Sequence, residues 1–222
     1  MSRIALDIDD TLYPFCNAAR DKIAEIGAKT GNDLLITAAY TPWPEWRSPT
    51  DVMGLDIWLE IIDHVHQDET ILKQEPYDGA VDVVNRLYDA GYDLTYISNR
   101  DLKTHEATQS WLQACGFPLD KENTELICTT GDKTQHMRDC QYIIDDRPKT
   151  LIQFVYDFHW AHKHGSDSKR RLGFGLHKEY NRSLTDAPGI YLAPSWNLLE
   201  LYLAKKGLLG APTKEPAHQG SS

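Results

Sequence analysis

Arg3-Ile4-Ala5-Leu6-Asp7-Ile8-Asp9-Asp10-Thr11-Leu12 is the stretch on which the fold turns. Ile4 to Asp7 run from apolar to acidic, the pattern of a buried parallel strand emerging at its carboxyl end. Asp7, Asp9 and Asp10 then crowd together where the chain must leave the sheet. Like charges this close cost stability unless a cation or a shared proton offsets them. A merely solvated turn would not need a hydrophobic strand to aim it. The stretch therefore predicts a metal-assisted loop at the carboxyl edge of an α/β sheet, where such sheets place their ligands.

Working outward, the same pattern recurs. Tyr92 to Ser98 reads as a strand ending on a hydroxyl, followed by Asn99-Arg100-Asp101. Leu126 to Thr129 is a short strand with Gly131-Asp132-Lys133 after it, and Tyr142-Ile143-Ile144 runs into Asp145-Asp146-Arg147-Pro148. Gly173 to Leu176 suggests one more strand. Helical spacing marks 80–90, closed by Gly91, 104–114, stopped at Gly116, the face Leu151, Phe154, Val155, Phe158 and His162, and a closing helix over 197–206. Alternation of this kind predicts a Rossmann-like parallel sheet of about five strands with helices on both faces.

Pro14 ends the first strand, and the residues up to Glu75 are poor in β-branched runs. A helix from about Asn17 to Ile26, ended by Gly27, and a second one rich in Leu55, Ile57, Trp58, Leu59, Ile61, Ile62 and Val65 are expected there. The latter pattern implies burial on two sides. Residues 13–76 thus form a small helical cap inserted after the first strand, and 1–12 with 77–206 form the core domain. Residues 207–222, polar, proline-bearing and aromatic-free beyond 210, are expected to be a disordered tail.

The chain has 222 residues, 41% of them hydrophobic and 25% charged, which describes a soluble globular protein with one substantial core. Its net charge of −10 provides no basic field for duplex nucleic acid. Small phosphorylated substrates remain compatible with it, because one local cation and a metal can hold them. There is no membrane-spanning run, and the N-terminus enters a strand rather than a signal sequence. Cys16, Cys115, Cys128 and Cys140 form no CxxC pair, so buried thiols in a reducing cytoplasm are expected. His159, His162 and His164 lack a carboxylate or cysteine to complete a metal set, and a histidine cluster without metal is the simpler reading. Ser166 to Arg171 reads as a solvated basic loop.

Gathered at one sheet edge, these residues offer carboxylates from two strands, a hydroxyl and an ammonium group. Oxygen ligands of this kind suit Mg²⁺. Lysine and hydroxyl beside the ion make a cradle for a phosphoryl group. Since no histidine or cysteine is placed to attack, the natural nucleophile is a carboxylate, with the carboxylate two positions on as acid and base.

Asp7-Ile8-Asp9-Asp10-Thr11, the strand ending at Ser98, Lys133, and Asp145-Asp146 resemble the four motifs of the haloacid dehalogenase (HAD) superfamily, in the family's order over about residues 3 to 148. The resemblance implies Asp7 as nucleophile and Asp9 as general acid/base. It implies Mg²⁺ on Asp7, the Asp9 backbone carbonyl and Asp145, with Asp146 ligating through water or orienting the ligands. Ser98 and Lys133 would hold the phosphoryl group. Asp10 departs from the glycine frequent at its position. Asp9 points to phosphate transfer, since the dehalogenases of this superfamily lack it.

The helical cap, Ile143 to Pro148, His177-Lys178-Glu179-Tyr180-Asn181 and Ser195-Trp196 are similar to the 5'(3')-deoxyribonucleotidase branch. The expected activity is hydrolysis of a phosphomonoester, a nucleoside monophosphate first. A sugar phosphate or a nucleic-acid end is the alternative substrate, and a catalytically inactive nucleotide- or protein-binding domain the alternative class. Candidate substrate contacts are Phe15, Trp43 and Trp46 for stacking a base, and Asn99, Arg100 and Arg147 for phosphate or sugar. Both arginines have carboxylates nearby with which they could pair instead.

Overall fold

The structure is a computed structural model that describes residues 2–43, 49–119, 121–157 and 171–210. Among these residues six parallel strands form one sheet: β1 (Arg3–Leu6), β2 (Asp93–Ser98), β3 (Thr124–Cys128), β4 (Tyr142–Ile144), β5 (Leu172–Leu176) and β6 (Ile190–Ala193). Their order is β3-β2-β1-β4-β5-β6. Leu6 stands opposite Tyr96 of β2 and Ile144 of β4, so the three ends lie side by side. β6 has no counterpart in the sequence reading, although at four residues it is as long as β1 and longer than β4.

Both sheet faces are buried, which is why the strands are apolar nearly throughout. Ile4, Leu6, Leu94, Tyr96, Ile144 and Phe174 belong to one core cluster. Ala5, Ile97, Ile143, Ile190 and Leu192 belong to the other. The first cluster contains Val83, Val84, Leu87, Trp111, Leu112, Leu199 and Leu203 from the helices later in the chain. The second takes Met137, Leu151, Phe154 and Val155.

The segment after β1 is helical: α1 (Phe15–Thr30), α2 (Asp33–Tyr40), α3 (Pro49–Met53), α4 (Leu55–Val65) and α5 (Asp68–Ile71). α1 runs past the expected stop at Gly27 and ends at Gly31, which takes φ 64°. Gly27 serves a different purpose: a Cβ there would lie 2.8 Å from Ile36 Cγ1, so the glycine lets α2 approach α1. α4 is one-sided rather than buried on two faces. Trp58, Ile61 and Val65 point inward, while Leu55 and Leu59 are more than half exposed. The apolar interior of the segment joins the first core cluster without a break.

The later helices are α6 (Ala80–Asp89), α7 (His105–Ala114), α8 (Pro148–Ile152), continued by a π-helical turn at Gln153–Asp157, and α9 (Trp196–Lys205). Phe158, the three-histidine cluster and most of the basic loop lie outside the described residues. The expected tail starts too early: Leu208 and Leu209 are buried in the core, and Arg86 Nη2 donates to the Gly210 carbonyl. Residues 211–222 are outside the described ones. All four cysteines are free thiols. No helix of the described residues is long and apolar enough to cross a membrane.

Candidate active site

The strand ends bring the predicted groups together. Asp7 leaves β1 with its N–H still donating to the Ile144 carbonyl (2.9 Å), which fixes the loop against β4. Its carboxylate is buried and accepts from Lys133 Nζ at 2.6 Å. The same ammonium lies 2.7 Å from Asp145 Oδ2. Asn99 donates to the carbonyls of Thr129 and Gly131, holding the loop that carries Lys133. Its amide is thus a brace of the site, in contrast to the expected substrate contact.

Asp7, Asp145 and Asp146 each present an oxygen within 4.8 Å of the others, all three residues being buried. Burial first, then the Asp7 charge, pushes the Asp145 carboxyl up to about 6. Burial also raises Asp146 well above the usual range, reinforced by Asp7, Asp10 and Asp145. Burial alone would lower the Lys133 ammonium, but Asp145 and Asp7 outweigh it and hold the pKa above its ordinary value. Asp145 Oδ1 accepts the Arg147 N–H at 2.8 Å, and buried Oδ2 is ion-paired with the Lys133 ammonium. A buried, all-oxygen cluster of three carboxylates fits a hard divalent cation.

Asp146 is held from the loop after β5. The Tyr180 hydroxyl donates to its Oδ2, and Asn181 Nδ2 bridges the Asp146 and Leu176 carbonyls at 2.8 Å each. Neither residue had an assigned role in the sequence reading; their signal was only the family-like cue at 177–181.

Asp9 is enclosed by donors. Ser98 Oγ lies 3.2 Å from Oδ2, and Arg100 Nη2 lies 2.7 Å from Oδ1 with Nε at 3.2 Å. Arg100 is wholly buried, donates to Thr108 and covers the face of Tyr13. Its expected role as a substrate contact is therefore corrected: the guanidinium serves Asp9. Burial pushes the Asp9 carboxyl up, but Arg100 and then His66 outweigh it and hold the group well below the carboxylate range. His66, which closes α4, was missed altogether. Its Nε2 lies 3.6 Å from Asp9 Oδ2.

One of the stacking candidates is corrected as well, and a second is mostly buried at the edge of a cleft. Phe15 is 1% exposed and meets Trp58 edge-on, a core contact. Trp43 is 5% exposed, donates its Nε1 to the Ala38 carbonyl and has Arg20 over its ring at 4.1 Å. Trp46 lies outside the described residues. Beside the carboxylates is a cleft of about 370 Å³ lined by residues that include Arg20, Tyr40, Trp43, Tyr77, Lys178 and Tyr180. Tyr180 is the shared wall, facing the cleft with its ring and Asp146 with its hydroxyl.

Known structures share this arrangement of strands and helices. A HAD family hydrolase from Deinococcus radiodurans R1, crystallised with phosphate and sodium, superimposes with a TM-score of 0.60 at 15% identity, over 95% of this chain and 98% of that one. The fold is HAD-like. CbbY from Rhodobacter sphaeroides, solved with xylulose 1,5-bisphosphate, gives a TM-score of 0.52 at 17% identity over 88% of this HAD-like chain and 95% of its own. In sequence, a Bacillus cereus protein described as "Putative nucleotidase" is 24% identical over 156 residues, 69% of this chain and 80% of the relative. A family model for the LNS2 domain of PITM 1-3 matches residues 60–156, less than half of the chain.

Proposed function

We propose that the protein is a Mg²⁺-dependent phosphomonoester hydrolase that acts through an aspartyl-phosphate, with a nucleoside monophosphate as substrate. The observation that carries this reading is the buried Asp7 carboxylate, paired with Lys133 and beside Asp145, with a second carboxylate two positions on. Asp7 Oδ attacks phosphorus and the ester P–O bond breaks, its electron pair passing to the departing oxygen, which takes a proton from Asp9. Water then attacks the phosphoryl group and gives a proton to Asp9, and the Asp7–phosphorus bond breaks to release phosphate. Arg100 holds Asp9 ionised, the form that takes the proton from water in the second half. Ser98 and Lys133 position the phosphoryl oxygens. Asp7, the Asp9 carbonyl, Asp145 and Asp146 would hold Mg²⁺, which neutralises phosphoryl charge.

Residues 13–76 act as the cap over this site, on a core of 1–12 and 77–206. The nucleoside reading is supported by the similarity to nucleotidase-named relatives and by the aromatic and cationic lining of the cleft. The likeness to CbbY, solved with a sugar bisphosphate, favours the second reading, a sugar phosphatase. A retired, non-catalytic domain would not need the buried nucleophile, lysine and cation cluster together. A cytoplasmic location fits four free thiols.

The test is phosphate release with Mg²⁺ from p-nitrophenyl phosphate and from a panel of ribo- and deoxyribonucleoside monophosphates and sugar phosphates, with Asp7→Asn as control. Release above that control, greatest on nucleotides, is expected. Turnover of sugar phosphates alone removes the nucleotide assignment, and no release above the control removes the enzyme.

A further inference from the structure

His66 belongs to the inserted helical segment, yet its ring reaches the core's catalytic loop. Its backbone N–H is spent on the Ile62 carbonyl at 3.0 Å, and its ring packs on Phe15 with centroids 5.4 Å apart. Neither contact uses Nε2. That nitrogen is buried, makes no hydrogen bond among the described residues, and faces Asp9 Oδ2 at 3.6 Å. A buried ring nitrogen left unpaired costs on the order of 1–3 kcal/mol, so a fold retains one where a partner arrives.

The spacing says what that partner is. At 3.6 Å the two atoms are too far apart for a hydrogen bond but closer than two hydrogen-bond lengths. One oxygen can therefore touch both. Beside Asp9, the group proposed above to protonate the ester, that oxygen is the one departing from phosphorus.

We infer that His66 is a catalytic residue on the leaving-group side, its imidazole sharing the departing ester oxygen with Asp9. This rests on the phosphohydrolase reading. As the P–O bond breaks, its electron pair accumulates on this oxygen. The Asp9 carboxyl gives up its proton to make the alcohol. His66 donates a hydrogen bond from Nε2–H to the same oxygen and keeps its proton. Since His66 rides on α4, the catalytic set is complete only with the inserted segment seated on the core.

Leaving-group chemistry tests this. An alkoxide needs such help, whereas p-nitrophenolate departs as a stable anion. His66→Ala and His66→Gln are compared with wild type on p-nitrophenyl phosphate and on the best alkyl phosphate of the panel, at saturating Mg²⁺. The ratio of kcat on the alkyl ester to kcat on the aryl ester is expected to fall at least about tenfold in His66→Ala, with KM within about threefold. Glutamine, which keeps an N–H donor, recovers part of the ratio. Parallel losses on both esters in a folded variant, or no loss on either, overturn the assignment and leave the phosphohydrolase reading intact. A wild type that cleaves only the aryl ester also counts against His66, and a wild type inert on every ester removes both readings.

Discussion

Asp10 occupies a backbone position that glycine takes more easily, with φ at 57°. The side chain compensates. It accepts the Cys16 N–H at 2.9 Å, the Cys16 thiol at 2.6 Å and the Tyr77 hydroxyl at 3.2 Å, tying the start of α1 and the lead into α6 to the catalytic loop. Asp10→Ala keeps the strained φ and loses the acceptors, so a stability loss of about 2–3 kcal/mol is expected. Asp10→Gly relieves the strain and is expected to lose about 1 kcal/mol less. Urea unfolding of the two variants decides it, and the reverse order would mean that the positive φ at this position carries no strain. Asp7, Asp145 and Lys133 were legible in the sequence because each follows an apolar strand. His66 and Tyr180 were not, because their partners Asp9 and Asp146 lie in other elements and only the tertiary fold pairs them. Arg100 takes the alternative left open for it, pairing with a carboxylate rather than with substrate.

At the scale of elements, β5 shows how a strand shapes the site without supplying a functional side chain. A Cβ on Gly175 would stand 2.2 Å from the Asp145 backbone oxygen, with no flexible side chain to yield. One on Gly173 would meet Leu151 Cδ2 at 3.0 Å, a tip that can move aside. Gly175→Ala is therefore expected to displace Asp145, costing at least about 2 kcal/mol and more than tenfold in kcat. Gly173→Ala should cost about 1 kcal/mol and leave kcat within about threefold. Thermal melts and turnover on p-nitrophenyl phosphate compare them, and equal effects would show that the close approach to Asp145 is not decisive. The sequence disclosed β1 to β5 through apolar runs bounded by turn residues, whereas the equally short β6 was passed over, its polar neighbours offering no group for the site. Gly27 was misread as a stop because the helix it admits, α2, is invisible from local pattern.

For the whole molecule, the carboxylate cluster adds to a chain already at net charge −10. Asp145 has its pKa raised from 3.8 to about 6, so the folded protein binds this proton more tightly than the unfolded one. That contribution is complete below about pH 4 and is lost as pH rises through 6. Without metal the cluster thus weakens the fold progressively between about pH 4 and 6, and a divalent cation offsets the loss above that range. Mg²⁺ at a hundredfold excess over its Kd should raise Tm by about 5 °C or more at pH 7.5, and by clearly less at pH 5. A pH-independent shift, or one that persists in Asp145→Asn, would place the cation elsewhere.

The sheet order has a kinetic consequence. β1 is central, and its catalytic partners come from the far side of long sequence gaps: Lys133 is 126 residues from Asp7, and Arg100 is 91 from Asp9. Closing such gaps is the slow part of assembling a parallel sheet. On refolding from denaturant, catalytic activity should therefore return with the final β1–β4 pairing and lag behind helical circular dichroism, so that the chain is silent until its topology is complete.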